Sequence, residues 1–378
     1  MKEVRRFRAR ELGIVIGALP TGRWNAITDV SGVRVGHVTL IEGEAGPLQP
    51  GRGPIRTGVT AIIPHDGDLF LERVHGVTYS INGYGEVTNV DQVAELGVIE
   101  GPILLTNTFS VPMVEDAVMQ WLERRNPDIG VRLGGVSPVV AECNDGWLND
   151  IRGRHVRPEH VFQAIERATS GPVAEGNVGG GTGMSCFEFK GGIGTASRVL
   201  PEPLGGYTVG VLAQCNFGRR PQLRVDGVPV GRELADWHPP SEPPMGNSIV
   251  IVLATDAPLI ARQLRRLAVR CGAGLARTGS THGAGSGDFV IAFSTAQRVP
   301  LRPSAPTLRL EILPDFGPSI EGLFQAAVEA TEEAILNALC MAETMRGRDG
   351  HVRYALPLDR LVEIMRRYGH SEVHLPEA

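Results

Sequence analysis

The stretch PPSEPPMGNSIVIVLATDAP, residues 239–258, runs four prolines and a Gly-Asn pair into Ser248, and an apolar run starts at once. Residues 249–254 are continuously apolar and rich in β-branched side chains, which suits a strand covered on both faces. The serine therefore stands where a stiff, exposed segment meets a buried strand. An ordinary turn before a core strand accounts for that placement. So does a peptide bond built to break.

Working outward, residues 256–276 read as a helix. Asp256 is its expected cap, Pro258 lies in its first turn, and Ile260, Leu264, Leu267, Cys271 and Leu275 recur at helical spacing. Strands are expected within residues 25–40, 57–65, 101–110, 192–200, 207–218 and 287–295. Ser110 then caps a helix through Trp121 and Leu122 that ends at NPDIG. RPEHVFQAIERAT is a helix with Pro158 and Glu159 in its first turn. Ser319 opens a long helix to about Met345, and PLDRLVEIMRRYG is a last helix closed by Gly369. No repeat occurs, and no linker other than residues 239–247, so one domain is expected over 1–378. Strands and helices come in blocks rather than strict alternation. That favours an α+β fold with helices packed over a largely antiparallel double sheet.

Bulk properties exclude several functions. The chain has 378 residues, with 42% hydrophobic and 21% charged side chains, which is ordinary for a globular protein with a sizeable core. A net charge of −5 argues against nucleic acid as a partner. The charged start MKEVRRFRARELGIVIG carries no secretory signal, and no run approaches a membrane span, so no membrane partner is expected. The five cysteines are scattered, odd in number and without CxxC, which suits free thiols in a reducing cytoplasm. The P-loop, GxGxxG, HExxH and GxSxG patterns are all absent. His370 and His374 sit in a polar tail and read as solvated side chains. Nothing here calls for a metal or organic cofactor.

Ser248 is the residue with chemistry to offer. A serine hydroxyl is a poor nucleophile until a base takes its proton. Cutting the Asn247–Ser248 bond would give Ser248 an α-amine with a reference pKa of about 7.7–8.0, roughly a tenth neutral at pH 7. That amine can accept the proton of its own Oγ. Ser286 and Asp288, in GSTHGAGSGDFVIAFS, lie two apart, so they share a face of an extended chain and can meet Ser248 together. A Gly-rich hairpin loop also explains that segment. A Ser248, His282 and Asp288 triad is a further alternative, but it leaves the proline-rich entry unexplained. Asn216, at the end of a strand, can donate to an oxyanion. Glu142 in VVAECNDGWLND can pair with an ammonium. GNVGGGTGMSCFEFKGGIG, residues 176–194, suits a loop that packs tightly or presents backbone N–H groups. Gly180 and Gly181 are its candidate substrate contacts.

Taken together, NAITDVSGVRVGHVT, TGVTAIIP, NVGGGTGM, CNFGRR, GNSIVIVLATDAPL and GSGDFVIAFSTA resemble, in order, the blocks of the self-processing L-aminopeptidase/D-esterase and β-peptidyl aminopeptidase family. The resemblance implies a four-layer αββα sandwich, similar in look to N-terminal-nucleophile hydrolases but differently connected. It implies autocleavage into residues 1–247 and 248–378, and a homotetramer or larger assembly of cleaved units. Ser248 then resembles the nucleophile, Asn216 the oxyanion donor, and Ser286 with Asp288 its hydrogen-bond partners. Some members carry Glu where Asp288 stands, and some place a tyrosine near Asn144. Asn144 can donate a hydrogen bond but supplies no phenol. The implied reaction removes the N-terminal residue from a small peptide, amide or ester with a free amine, without a cofactor. An acyltransferase of related architecture, or an uncut binding homologue, are the competing readings.

Overall fold

The protein is seen in a computed structural model that describes residues 5–238 and 247–376. The proline-rich stretch 239–246 lies outside the described residues, and with it the expected presentation of the 247–248 bond by a stiff segment.

In chain order the strands are β1 (Arg34–Glu42), β2 (Ile55–Ile63), β3 (Glu72–Gly83), β4 (Val98–Ile99), β5 (Ile103–Asn107), β6 (Val139–Cys143) and β7 (Ser185–Cys186). There follow β8 (Phe189–Lys190), β9 (Gly192–Val199), β10 (Thr208–Asn216), β11 (Asn247–Thr255), β12 (Ser286–Pro300), β13 (Met345–Arg346) and β14 (Val352–Arg353). The helices are α1 (Val90–Leu96), α2 (Val111–Arg125), α3 (Pro158–Glu166), α4 (Val230–Glu233), α5 (Ala261–Arg277), α6 (Pro318–Met341) and α7 (Leu358–Arg367).

Two sheets face each other. The smaller has the order β1-β2-β5-β6, the larger β4-β3-β12-β11-β10-β9. Most neighbours are antiparallel, and each sheet holds one parallel pair, β5/β6 and β11/β12. The strand that opened the sequence reading lies inside the larger sheet, and both its faces are covered. Ile249, Ile251 and Leu253 pack with α5 and α6, while Val250, Val252 and Ala254 pack between the sheets against Ile103, Leu105 and Ala141. Each Val, Ile or Leu among them contributes about 1.5–3 kcal/mol on burial. On the far side, α2 and α3 cover the smaller sheet through Val114, Val118, Val161 and Ile165. The result is the expected helix, sheet, sheet, helix order. Gly194 on β9 shows how closely the layers approach: a Cβ there would lie 2.0 Å from the Ala334 carbonyl oxygen of α6.

Several local expectations change. Asp256 does not cap α5, because its carboxylate accepts the Thr208 N–H at 2.7 Å. The helix starts at Ala261, and Gln263 Oε1 accepts the Ile260 N–H. Ser110 makes no side-chain cap, and Asn107 Oδ1 takes the N–H groups of Phe109 and Ser110 instead. The long helix stops at Met341, since Met345 and Arg346 pair with Val352 and Arg353. β3 is a twelve-residue strand absent from the sequence reading.

Candidate active site

Strand register assembles the site at one end of the sandwich. Ser248 lies opposite Asn216 in the antiparallel pair β10/β11. In the parallel pair β11/β12, Asn247 lies opposite Ser286, Ser248 opposite Gly287 and Ile249 opposite Asp288. Alternation then divides the side chains between two faces. Ser248 shares the inter-sheet face of Val250, and Asn216 shares that of Leu212. Asp288 shares the helix-side face of Val290. By register Ser286 and Asp288 stand opposite the residues on either side of Ser248, on the face away from its side chain.

Ser248 is 4% exposed, and its Oγ donates to the Asn247 carbonyl oxygen at 2.5 Å. Ser286 Oγ donates to Asp288 Oδ1 at 2.5 Å, and His282 Nδ1 sits 2.7 Å from Asp288 Oδ2. Asp288 therefore meets the partner given to it in the triad alternative, but on the face opposite the Ser248 side chain. Asn82 Nδ2 donates to the carbonyl oxygens of Ser286 and Gly283 and fixes this loop.

Asn216 is oriented from both ends. Its Oδ1 accepts the Ser185 N–H at 2.8 Å, and its Nδ2 donates to the Asn144 carbonyl oxygen at 2.9 Å. An amide nitrogen carries two N–H groups, so one remains for an oxyanion. Asn144 acts here through its backbone, since its side chain accepts the Gly146 N–H within its own turn. Asp145, next in sequence, is fully buried and takes hydrogen bonds from Thr57 Oγ1 and Asn149 Nδ2. Burial pushes its carboxyl up to about 7.

Glu142 is 3% exposed and accepts from the Glu86 N–H and the Thr108 hydroxyl. Burial raises its pKa above the ordinary carboxylate range, and the Thr108 bond opposes that shift. Gly85 lies between Glu142 and the strand beside Ser248. A Cβ on Gly85 would be 2.7 Å from Glu142 Oε1 and 3.5 Å from Gly287 Cα. A carboxylate thus stands near the serine on its β12 flank.

Gly180 and Gly181 are placed differently from the expectation. The N–H of Gly179 goes to Thr39 Oγ1, that of Gly180 to Thr60 Oγ1 and that of Gly181 to the Val178 carbonyl. These groups hold the loop against β1 and β2, and none is left to face a substrate. His370 lies beside Asp226, away from the serine. Among the described residues, no group of three or more His, Cys, Asp or Glu is placed to hold a metal ion, and no helix is long and apolar enough to cross a membrane.

The sequence reading missed Asn82, the 84–86 segment, Ser185 and Arg353. The first two carried a usable signal, because YSINGYG ends a strand in Asn and Gly much as β10 ends in CNFG. Ser185 and Arg353 carried none.

Comparison with known proteins identifies a family. The profile of Peptidase family S58 matches residues 25–353. The β-peptidyl aminopeptidase BapA of Sphingosinicella microcystinivorans is 47% identical, over 96% of this chain and 92% of its own. A protein of known structure from Pyrococcus horikoshii is 52% identical with a TM-score of 0.91, covering 96% of this chain and all of its own. The L-aminopeptidase D-Ala-esterase/amidase of Ochrobactrum anthropi, described as a prototype of the serine aminopeptidases and a variant of the Ntn hydrolase fold, is 42% identical with a TM-score of 0.87. It covers 96% of this chain and 99% of its own. With this fold and these relatives, the chain belongs to Peptidase family S58 and is an aminopeptidase of the serine, N-terminal-nucleophile type.

Proposed function

We propose that the chain is a precursor that cuts itself between Asn247 and Ser248 and then works through the new N-terminal serine. The observation that supports this reading most is the Ser248 hydroxyl held 2.5 Å from the Asn247 carbonyl oxygen at the buried start of β11. Oγ adds to the Asn247 carbonyl carbon, and its proton passes to the Ser248 nitrogen. The C–N bond breaks and leaves an ester, and water hydrolyses it to an Asn247 carboxylate and a free Ser248 amine. Ser286 and Asp288, which lie by register opposite the residues on either side of Ser248, hydrogen-bond and orient the amine.

In turnover the substrate ammonium takes the place of the groups now bonded to Glu142. The Ser248 amine accepts the Oγ proton as Oγ attacks the first carbonyl. The spare N–H of Asn216 stabilises the oxyanion, the amine protonates the leaving group, and water releases the acyl-enzyme. The scheme draws on side chains and the new terminus alone. Substrates are short peptides, amides or esters with a free amine, and the relatives' names put β-peptides and D-alanine esters and amides on the assay panel. Five buried, unbridged cysteines accord with a reducing compartment.

The test is a denaturing gel of wild type beside Ser248→Ala. Two bands are expected for wild type and one for the variant. The same band pattern in both would reject Ser248 as the processing residue.

A further inference from the structure

The β13/β14 hairpin inserts Arg353 beside Asn216. Arg353 is 3% exposed, and its Nε donates to Ser185 Oγ at 3.0 Å. Its guanidinium lies 4.4 Å over the Trp147 ring, and Trp147 stacks on His351 at 3.8 Å. The Nε and Nη2 hydrogens of an arginine point the same way and form a two-toothed fork suited to a carboxylate. Ser185 takes one tooth. The other, Nη2, is buried without an acceptor, and so is Trp147 Nε1.

Two further buried donors without a partner stand nearby, Arg220 Nε and Trp237 Nε1. Arg220 spends its other nitrogens on the carbonyls of Trp237, His238 and Glu188, and His238 stacks on Tyr354, the neighbour of Arg353. Glu188 accepts the Arg220 N–H and lies 3.9 Å from Arg219, so its carboxylate serves those two residues. All four orphans are donors. A buried donor of this kind is costly unless an acceptor arrives. Burial lowers the Arg353 pKa to about 10, which leaves the group charged at neutral pH.

The position gives the acceptor an identity. Ser185 holds Asn216 through its N–H and Arg353 through its hydroxyl. Asn216 is one strand spacing, about 4.8 Å, from Ser248. Arg353 therefore lies on the β10 flank of the serine, and Glu142 on the β12 flank. We propose that Arg353, with Trp147 Nε1, binds the C-terminal carboxylate of the substrate, so that the site selects zwitterionic di- and tripeptides with a free C-terminus. An extended peptide advances about 3.5 Å per residue, so a carboxylate one or two residues past the scissile carbonyl has the needed reach. Both donors are buried in the uncut chain. The proposal rests on Ser248 as the nucleophile.

The experiment measures kcat/KM for an alanyl dipeptide and for its C-terminal amide, using processed wild type, Arg353→Met and Arg353→Lys. Wild type is expected to favour the free acid by about tenfold or more, the scale of a charge-assisted hydrogen bond. Arg353→Met brings the ratio near one, and Arg353→Lys leaves it between. Any general loss of activity is common to acid and amide and cancels in the ratio. A wild-type ratio near one, or a ratio unchanged in Arg353→Met, overturns the proposal. Should Arg353→Met not fold, the wild-type ratio and the lysine variant decide. Hydrolysis of a p-nitroanilide, which has no carboxylate, reads the Ser248 mechanism separately. A wild type inactive on all three substrates overturns both readings.

Discussion

At the scale of single residues, the proposed mechanism depends on orientation fixed before chemistry begins. Asn216 shows this: with Oδ1 on the Ser185 N–H, its amide cannot flip without losing both bonds. Asn216→Ala should lower kcat by about 10²–10³ with the fold intact by circular dichroism, the usual loss for one oxyanion donor. Asp288→Asn should slow p-nitroanilide hydrolysis on the order of a hundredfold, because the carboxylate holds both Ser286 and His282. Full activity in that variant would remove Asp288 from the mechanism. In the proposed mechanism Glu142 sets a pH dependence. Burial raises its pKa, so it stays protonated, and unable to pair with an ammonium, to a higher pH than an ordinary carboxylate. The acid limb of kcat/KM should therefore lie above the usual carboxylate range. Glu142→Gln should raise KM for free-amine substrates and abolish that limb, which a pH–rate series would show.

At the scale of elements, the end of β6 must hold Glu142 and the Asn144 carbonyl still. Asp145 does this by tying the loop after β6 to Thr57 of β2, and Asn107 of β5 donates to the same Thr57 hydroxyl. The carboxyl of Asp145 is raised to about 7 in the fold, against about 3.9 in an unfolded chain. A raised acid contributes stability that is complete below the unfolded value and is lost as pH rises through the folded one. Melting of wild type should fall between about pH 4 and 7 more than melting of Asp145→Asn does. Parallel curves for the two proteins would rule Asp145 out as the cause. Elements also show where the sequence was readable. Residues 249–254 announced a doubly covered strand, and β11 is one. β3 went unread because its buried and exposed positions do not alternate cleanly, with Gly76 in mid-strand. The cap at Asp256 went astray because its carboxylate is taken by the Thr208 N–H of a remote strand, and that at Ser110 because Asn107, three residues earlier, accepts the first free N–H groups.

At the scale of the whole molecule, the proposed cut falls in the middle of a sheet. β12 and all of β11 but Asn247 belong to residues 248–378, yet they pair with β3 and β10 from the first fragment. The two fragments should therefore co-elute on native gel filtration and part only in denaturant. Separation under native conditions would contradict the shared sheet. We also propose that the cleaved units assemble as homo-oligomers, as the family resemblance implies. Leu308, Leu310, Ile312 and Phe316 are exposed in one segment, Phe316 at 86%, and a patch of this kind is a reason to expect a partner. Light scattering should give a mass above that of one chain, and Phe316→Asp should lower it. A wild type of single-chain mass would end that proposal.

By itself, the sequence determined the layered α+β class, the doubly buried strand, the ordered blocks of a peptidase family and the serine at the strand edge. Each rests on local pattern, because side-chain periodicity and turn residues are written into adjacent positions. Only the tertiary structure decided which strand lies beside which. Register between remote segments put Asn216 opposite Ser248, set Ser286 opposite Asn247 and Asp288 opposite Ile249, and carried Gly85 between Glu142 and Gly287. It also turned the Gly179–Gly181 backbone inward and brought Arg353 to Ser185. Periodicity tells a side chain which face it occupies, but the partner across that face is fixed by the packing of the whole chain.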